Sequence, residues 1–210
     1  MVVLKFSKVS NSSLTAHVDM LRAVTYIFRR AGIDVAYSKG FNPHMELGFS
    51  APIALGVEST CEYVCAKTDF SPDMVDRLNA VCPQGICFEK AFNCSVNLAS
   101  KIDRAKYVVS MQGIGDVVEE VAQQGYTICY LEKGKTVQKD VSSKVFSATR
   151  VDCNTAILVL GVGNNNLRPD RVVNFLQQKH NLQGDYAITK TQAFVGEQDF
   201  DDFLSALEQG

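Results

Sequence analysis

No stretch of this sequence approaches the roughly 20 consecutive apolar residues that span a bilayer. The longest apolar run, Ala156 to Val162, has the length of a strand. The opening residues, MVVLKFSKVSNSS, hold no apolar signal core and no cleavage site, so no secretory leader is expected. A soluble, cytoplasmic protein without a membrane partner is the expectation. Charge of one sign is also lacking. The 21 Lys and Arg residues are offset by 23 Asp and Glu, for a net charge of −2. The basic residues are not massed in one run, so the simple electrostatic signature of a nucleic-acid binder is absent and no DNA specificity is evident. A local basic face is still compatible with that balance.

Seven cysteines are present, yet none forms a C-x-x-C pair. In a reducing compartment such thiols are mostly buried and unpaired, and a zinc or iron–sulfur site usually shows tighter spacing. Cys61, Cys65, Cys82, Cys87 and Cys94 do cluster, which keeps a metal in view. Alternation along a strand already explains Cys61 and Cys65 as neighbours on one face. No nucleophile elbow, H-E-x-x-H or Walker loop occurs. A catalytic nucleophile is therefore not identifiable, and no cofactor or metal is expected in this chain.

What is present is an ordinary globular composition, 46% apolar over 210 residues, enough for one large or two small domains. Val2 to Phe6 reads as a strand. Asn11 to Ser13 supply N-cap types before a helix over 14–31, with Leu14, Val18, Leu21, Val24 or Thr25, and Phe28 at helical spacing and Gly32 as its stop. Short strands are predicted at 34–37, 46–50 and 58–67. Ser71 and Pro72 open a second helix to about Val81, and Ile86 to Asn93 closes the half. With the short 34–37 piece counted apart, strand, helix, strand, strand, helix, strand is the split βαβ, or ferredoxin-like, order.

Residues 95–105 read as a linker. The second half repeats the outline, with strands at 107–111, 127–131, 155–162 and 186–195. It has helices at 116–124, 168–178 and 200–207, and an extra β segment over 136–149. The expected fold is α+β: two ferredoxin-like halves, 1–94 and 106–210, with antiparallel sheets and helices packed on one face.

Four constellations could carry chemistry. His17, Asp19 and Arg22 lie on the first helix; Asp19 and Arg22 are spaced to pair on one face, and a solvated ion pair is the plain reading. Tyr37-Ser38-Lys39-Gly40-Phe41-Asn42-Pro43-His44 is dense in donors and acceptors. Gly40 permits positive φ, and Pro43 narrows the backbone of Asn42. Such a loop has few shapes and can present its side chains rigidly, with Phe41 as an anchor or a stacking ring. Glu58, Ser59 and Glu62 follow; Glu58 and Glu62 could meet His17 and His44 in a metal or acid–base site. Last, Gly161-Val162-Gly163-Asn164-Asn165-Asn166-Leu167-Arg168-Pro169 starts like a phosphate loop but lacks the later glycine. Asn166 and Arg168 are candidate anion ligands there, against an ordinary strand-to-helix turn.

Taken together, Thr15-Ala16-His17-Val18-Asp19-Met20-Leu21-Arg22, Arg29-Arg30-Ala31-Gly32, Tyr37 to His44, Gly56-Val57-Glu58-Ser59 with Glu62-Tyr63, and Asn166 to Pro169 resemble the radical-SAM-linked protein family. Met45 stands where that family usually has Pro, and Ala16 replaces a common Ser. The resemblance implies a domain fused to, or encoded beside, a cobalamin-type radical-SAM enzyme. It implies an accessory role in docking that enzyme or presenting its substrate, with RNA modification or processing suggested by association. The motif residues are then its binding residues. Cys61 and Cys65 are not followed by a third cysteine in register, so the chain is not itself a radical-SAM enzyme. A stand-alone RNA-binding protein, and a small enzyme using His17, His44 and Glu62, are the alternatives.

Overall fold

The computed structural model describes residues 1–209 and divides into two compact units. The first holds Met1–Ile102 together with the C-terminal segment from Glu197; the second holds Asp103–Gly196.

In the first unit, β1 (Val2–Lys8), α1 (His17–Arg30), β2 (Leu47–Phe49), β3 (Glu58–Ala66), α2 (Met74–Asn79) and β4 (Ile86–Phe92) follow in chain order. The strands lie in the order β4-β1-β3-β2, each neighbour antiparallel. This is the ferredoxin-like arrangement read from the sequence. The expected strand at 34–37 is instead loop, joined to its surroundings by a bridge between Tyr37 and Met45 and by the Ala36 N–H, which donates to the Lys67 carbonyl at 2.9 Å.

Alternation sends Val2, Leu4 and Phe6 to one face of β1 and Val3, Lys5 and Ser7 to the other. The first set packs with Met20, Val24, Ile27 and Phe28 of α1 and with Met74 and Leu78 of α2. Truncating a side chain such as Phe28, fully buried here, would cost about 3–5 kcal/mol. Of the predicted stripe, Val24 and Phe28 are fully buried and Leu21 is half-buried. Leu14 and Val18 are 66% and 58% exposed. Met20 and Ile27 join Val24 and Phe28 on the buried side, and Leu14 lies in a turn before the helix begins.

The opposite sheet face is covered as well. After a short α3 (Leu98–Lys101) the chain leaves for the second unit and returns; Phe200 and Asp201, at the start of the terminal helix, then pack on that face. Phe200 meets Tyr63 edge-on at 4.8 Å. Asp201 accepts hydrogen bonds from the Tyr63 hydroxyl at 2.7 Å and from Lys5 Nζ at 2.9 Å, with Lys90 Nζ at 3.3 Å. The segment at 200–207, read from the sequence as part of the second half, thus belongs with the first unit.

The second unit starts with β5 (Arg104–Ser110), so the expected linker at 95–105 is taken up by α3 and the first residues of that strand. It continues with β6 (Thr127–Glu132), β7 (Lys135–Asp140), β8 (Val145–Arg150), β9 (Thr155–Gly161), α4 (Pro169–His180) and β10 (Ala187–Val195). Its order β10-β5-β9-β8, antiparallel throughout, repeats the ferredoxin-like pattern. The sheet strand before β9 is β8, from the segment expected to be extra. The 127–131 strand instead forms half of a separate hairpin, β6-β7. Lys133 and Gly134 both have positive φ, 49° and 76°, as a tight two-residue hairpin turn requires.

The predicted helix at 116–124 is two 3-10 turns, Ile114–Asp116 and Val118–Ala122. Gly115 packs so close that a Cβ there would lie 1.8 Å from the Asp152 carbonyl oxygen. The terminal helix, α5 (Phe200–Glu208), is capped by the Asp199 carboxylate, which accepts from the Asp201 N–H. No helix among the described residues is long and apolar enough to cross a membrane.

Candidate functional site

The Tyr37–His44 loop is closed on itself at its base. Ser38 N–H donates to the His44 carbonyl at 2.8 Å, and His44 N–H donates to Ser38 Oγ at 3.1 Å. Ser38 Oγ also lies 2.8 Å from His44 Nδ1. Beyond this clasp, Lys39, Gly40, Phe41, Asn42 and Pro43 are all exposed. Gly40 has φ 144° with nothing near a would-be Cβ, so its role is conformational. Phe41 is fully bare, at 106% relative exposure.

The loop is tied to the outer face of α1. Arg29 Nε donates to the Tyr37 hydroxyl at 3.3 Å, and the same guanidinium lies 6.0 Å from the ring centre of Tyr26. A shallow groove of about 380 Å³ runs along this face between Val18, Leu21, Arg22, Thr25, Tyr26 and Arg29. Asp19 and Arg22 pair at 3.2 Å on the exposed surface, which is worth little in water. Val18 and Tyr26 are thus exposed on this face beside Arg22 and Arg29, Tyr37 is joined to it through Arg29, and Phe41 stands exposed on the loop.

His17 and Glu62 meet elsewhere, on the inner face. Glu62 is opposite Phe6 across the sheet and is 8% exposed. Its carboxylate accepts from Ser59 Oγ at 2.8 Å and Ser50 Oγ at 3.4 Å. Lys8, 2% exposed, donates from Nζ to the Thr15 carbonyl at 2.9 Å. Burial pushes the Lys8 ammonium below its ordinary pKa, and the charge of Glu62 partly offsets this. Lys8, His17, Ser50 and Glu62 line a cavity of about 20 Å³ with Phe6, Met20, Phe49 and Ile53. That is room for about one water molecule and not for an organic substrate.

These contacts tie β1 and β3 to the chain entering α1. Nearby, Glu58 accepts the Ser10 N–H at 2.7 Å, so it too anchors the turn before α1. The sequence pointed to His17, Glu58, Ser59 and Glu62, but not to Lys8 or Ser50. A lysine ending a strand gives no local sign that it will be buried.

His44 borders another groove, of about 420 Å³, with Met45, Leu47, Phe49, Lys67 and Leu98 among its walls. His17, His44, Glu58 and Glu62 are thus not one constellation. Among the described residues no three His, Cys, Asp or Glu side chains converge as a metal-holding group. Of the cysteines, Cys61, Cys65 and Cys94 are buried, Cys82 is half-buried and Cys87 is exposed. Burial pushes the Cys82 and Cys94 thiols up to about 11, which keeps them protonated and poor as ligands or nucleophiles.

In the second unit the glycine-rich loop satisfies itself. A Cβ on Gly161 would come within 2.5 Å of the Asn165 carbonyl oxygen. Asn165 Nδ2 donates to the Ser143 carbonyl, and the Asn166 carbonyl accepts from Lys144 Nζ at 3.1 Å. Arg168 forks onto Asp170, at 3.0 and 2.6 Å; that hydrogen-bonded pairing raises the guanidinium pKa. The bidentate capacity expected for phosphate is spent on this neighbour.

The profile of a family described as an uncharacterized protein conserved in bacteria, DUF2344, matches residues 2–169, and the chain belongs to that family. No curated protein matches the sequence. A chain from a crystal structure of a Cbf5-Nop10-Gar1 complex is similar to it at 11% identity and a TM-score of 0.47, over 91% of this chain. This chain spans about half of that one, 48%.

Proposed function

We propose that this member of the uncharacterized bacterial family is an accessory protein that docks a radical-SAM enzyme, of the cobalamin type, through the outer face of α1 and the Tyr37–His44 loop. The observation that carries the reading is the combination of a pinned loop base with a wholly exposed Phe41. A bare aromatic on a restrained loop loses little entropy on binding and suits a buried anchor at an interface. Val18, Tyr26 and Tyr37 extend the contact, and Arg22, Arg29 and Arg30 favour an acidic rim on the partner. The resemblance of the same motif residues to radical-SAM-linked proteins supplies the partner's class. The reading as a small enzyme is weaker, because His44 stands apart from His17 and Glu62 and their cavity holds no substrate.

The test is anaerobic co-purification with the radical-SAM protein encoded nearby, its cluster intact. Recovery of a complex that Phe41→Ala weakens supports the proposal. Repeated failure to form a complex with the loaded enzyme counts against it.

A further inference from the structure

The hairpin and helix of the second unit enclose a cleft of about 660 Å³, within the size range of ligand sites. Arg171, Asn174, Phe175 and Gln178 form one wall; their spacing puts all four on one face of α4. Tyr130, Leu131 and Thr136 of the hairpin form the other. The Arg171 guanidinium lies 4.0 Å over the Tyr130 ring while its side chain keeps 26% of its surface open. It is held there by Glu132 at 3.2 Å. A flat layer is thus already built, and Arg171 borders the open cleft beside it. Asn174 and Gln178 are exposed beside it, each offering a donor and an acceptor.

A second observation comes from charge. The hairpin and the turn after it carry Lys133, Lys135, Lys139 and Lys144, and none has a carboxylate partner among the described residues. Arg168, Arg171 and Lys179 on or beside α4 are all paired. Lys139 and Lys144 lie close enough that, after burial, each other's charge lowers the Lys144 pKa. Two ammonium groups held together without an acid are relieved by an added anion.

From this juxtaposition we infer that the cleft binds a single strand of nucleic acid, with one base stacked on Arg171 and edged by Asn174 and Gln178. The phosphates flanking that base run along the hairpin lysines. Aromatic and guanidinium stacking with amide contacts to a base edge is how unpaired bases are read, and a lysine track supplies the backbone contact. This site lies wholly in the second unit and does not depend on the docking surface of the first.

The experiment is fluorescence anisotropy of the full chain with short labelled single-stranded RNA and DNA of mixed sequence, with nucleoside monophosphates as competitors. Binding is expected at low salt, weakening steeply as salt rises. The double variant Asn174→Ala, Gln178→Ala should bind about ten-fold more weakly with the salt dependence kept. Lys135→Ala with Lys139→Ala should lower both affinity and salt dependence. All four positions are exposed, and unchanged thermal melting verifies that the variants fold. Absence of binding at low salt, or binding that both double variants leave unaltered, would overturn the proposal. Competition by a mononucleotide as strong as by the strand would overturn the extended-strand contact.

Discussion

Ser38 Oγ lies 2.8 Å from Nδ1 of His44 and accepts the His44 backbone N–H as well. One hydroxyl thereby clasps both ends of a loop whose five intervening residues are all exposed. The loop has no core of its own, so its shape depends on that clasp and on the left-handed-side backbone of Gly40.

Replacing Ser38 with Ala should cost less than about 1 kcal/mol of global stability, because the contacts are exposed. The local effect should be larger. Hydrogen exchange followed by mass spectrometry should show faster exchange at 39–43 with the rest of the chain unaltered. Equal protection in the variant would show that the clasp does not order the loop.

Phe41→Ala should leave the melting temperature unchanged, since the ring has no packing to lose. Tyr26→Ala should cost little as well, its ring being 60% exposed. A drop of several degrees in either variant would mean that these rings pack in solution against something within the chain.

Asp201 is the anchor of the terminal helix. Burial works against its charged form, but hydrogen bonds from Lys5 and Tyr63 outweigh burial and hold its pKa below the ordinary 3.8. With the folded value below the unfolded one, the stabilisation is full above about pH 3.8 and is lost as pH falls through the depressed value. Asp201→Asn should destabilise the protein by about 3 kcal/mol at neutral pH and flatten this acid limb. Chemical denaturation across the acid range checks both.

Glu62→Ala should also be costly, by about 1–3 kcal/mol, because it leaves the buried Ser50 and Ser59 hydroxyls without their acceptor and removes the negative charge that offsets burial of the Lys8 ammonium. The paired change Lys8→Met, Glu62→Leu should recover much of that loss. No recovery in the double variant would show that the hydrogen bonds to Ser50 and Ser59 matter more than the charge of Glu62 felt by Lys8.

The first unit's βαββαβ order was legible because each break carries a local signal: Gly32 after α1, Pro72 before α2, Pro83 and Gly85 before β4. The buried side of α1 was legible in part, through Val24 and Phe28. Leu14 and Val18 fit the same helical spacing yet are exposed, whereas Met20 and Ile27 are buried, and only the sheet beneath decides that. In the second unit, 116–122 has helical composition, yet it forms tighter 3-10 turns beside Gly115, whose backbone lies against Asp152. The return of α5 was hidden for another reason: Tyr63 and Asp201 are 138 residues apart, and no local pattern encodes that pairing. The motif loop was legible as a restrained turn from Gly40 and Pro43, whereas Lys8 and Ser50 were visible only once the strands were paired.

The most direct measurement is an anaerobic binding titration of the chain against a cluster-loaded radical-SAM enzyme of the cobalamin type, the proposed partner, with wild type and Phe41→Ala in parallel. A saturable complex that weakens about ten-fold or more in the variant is expected, as for an interface anchor. No complex with the intact enzyme, or equal affinity for both proteins, would contradict docking through the Tyr37–His44 loop.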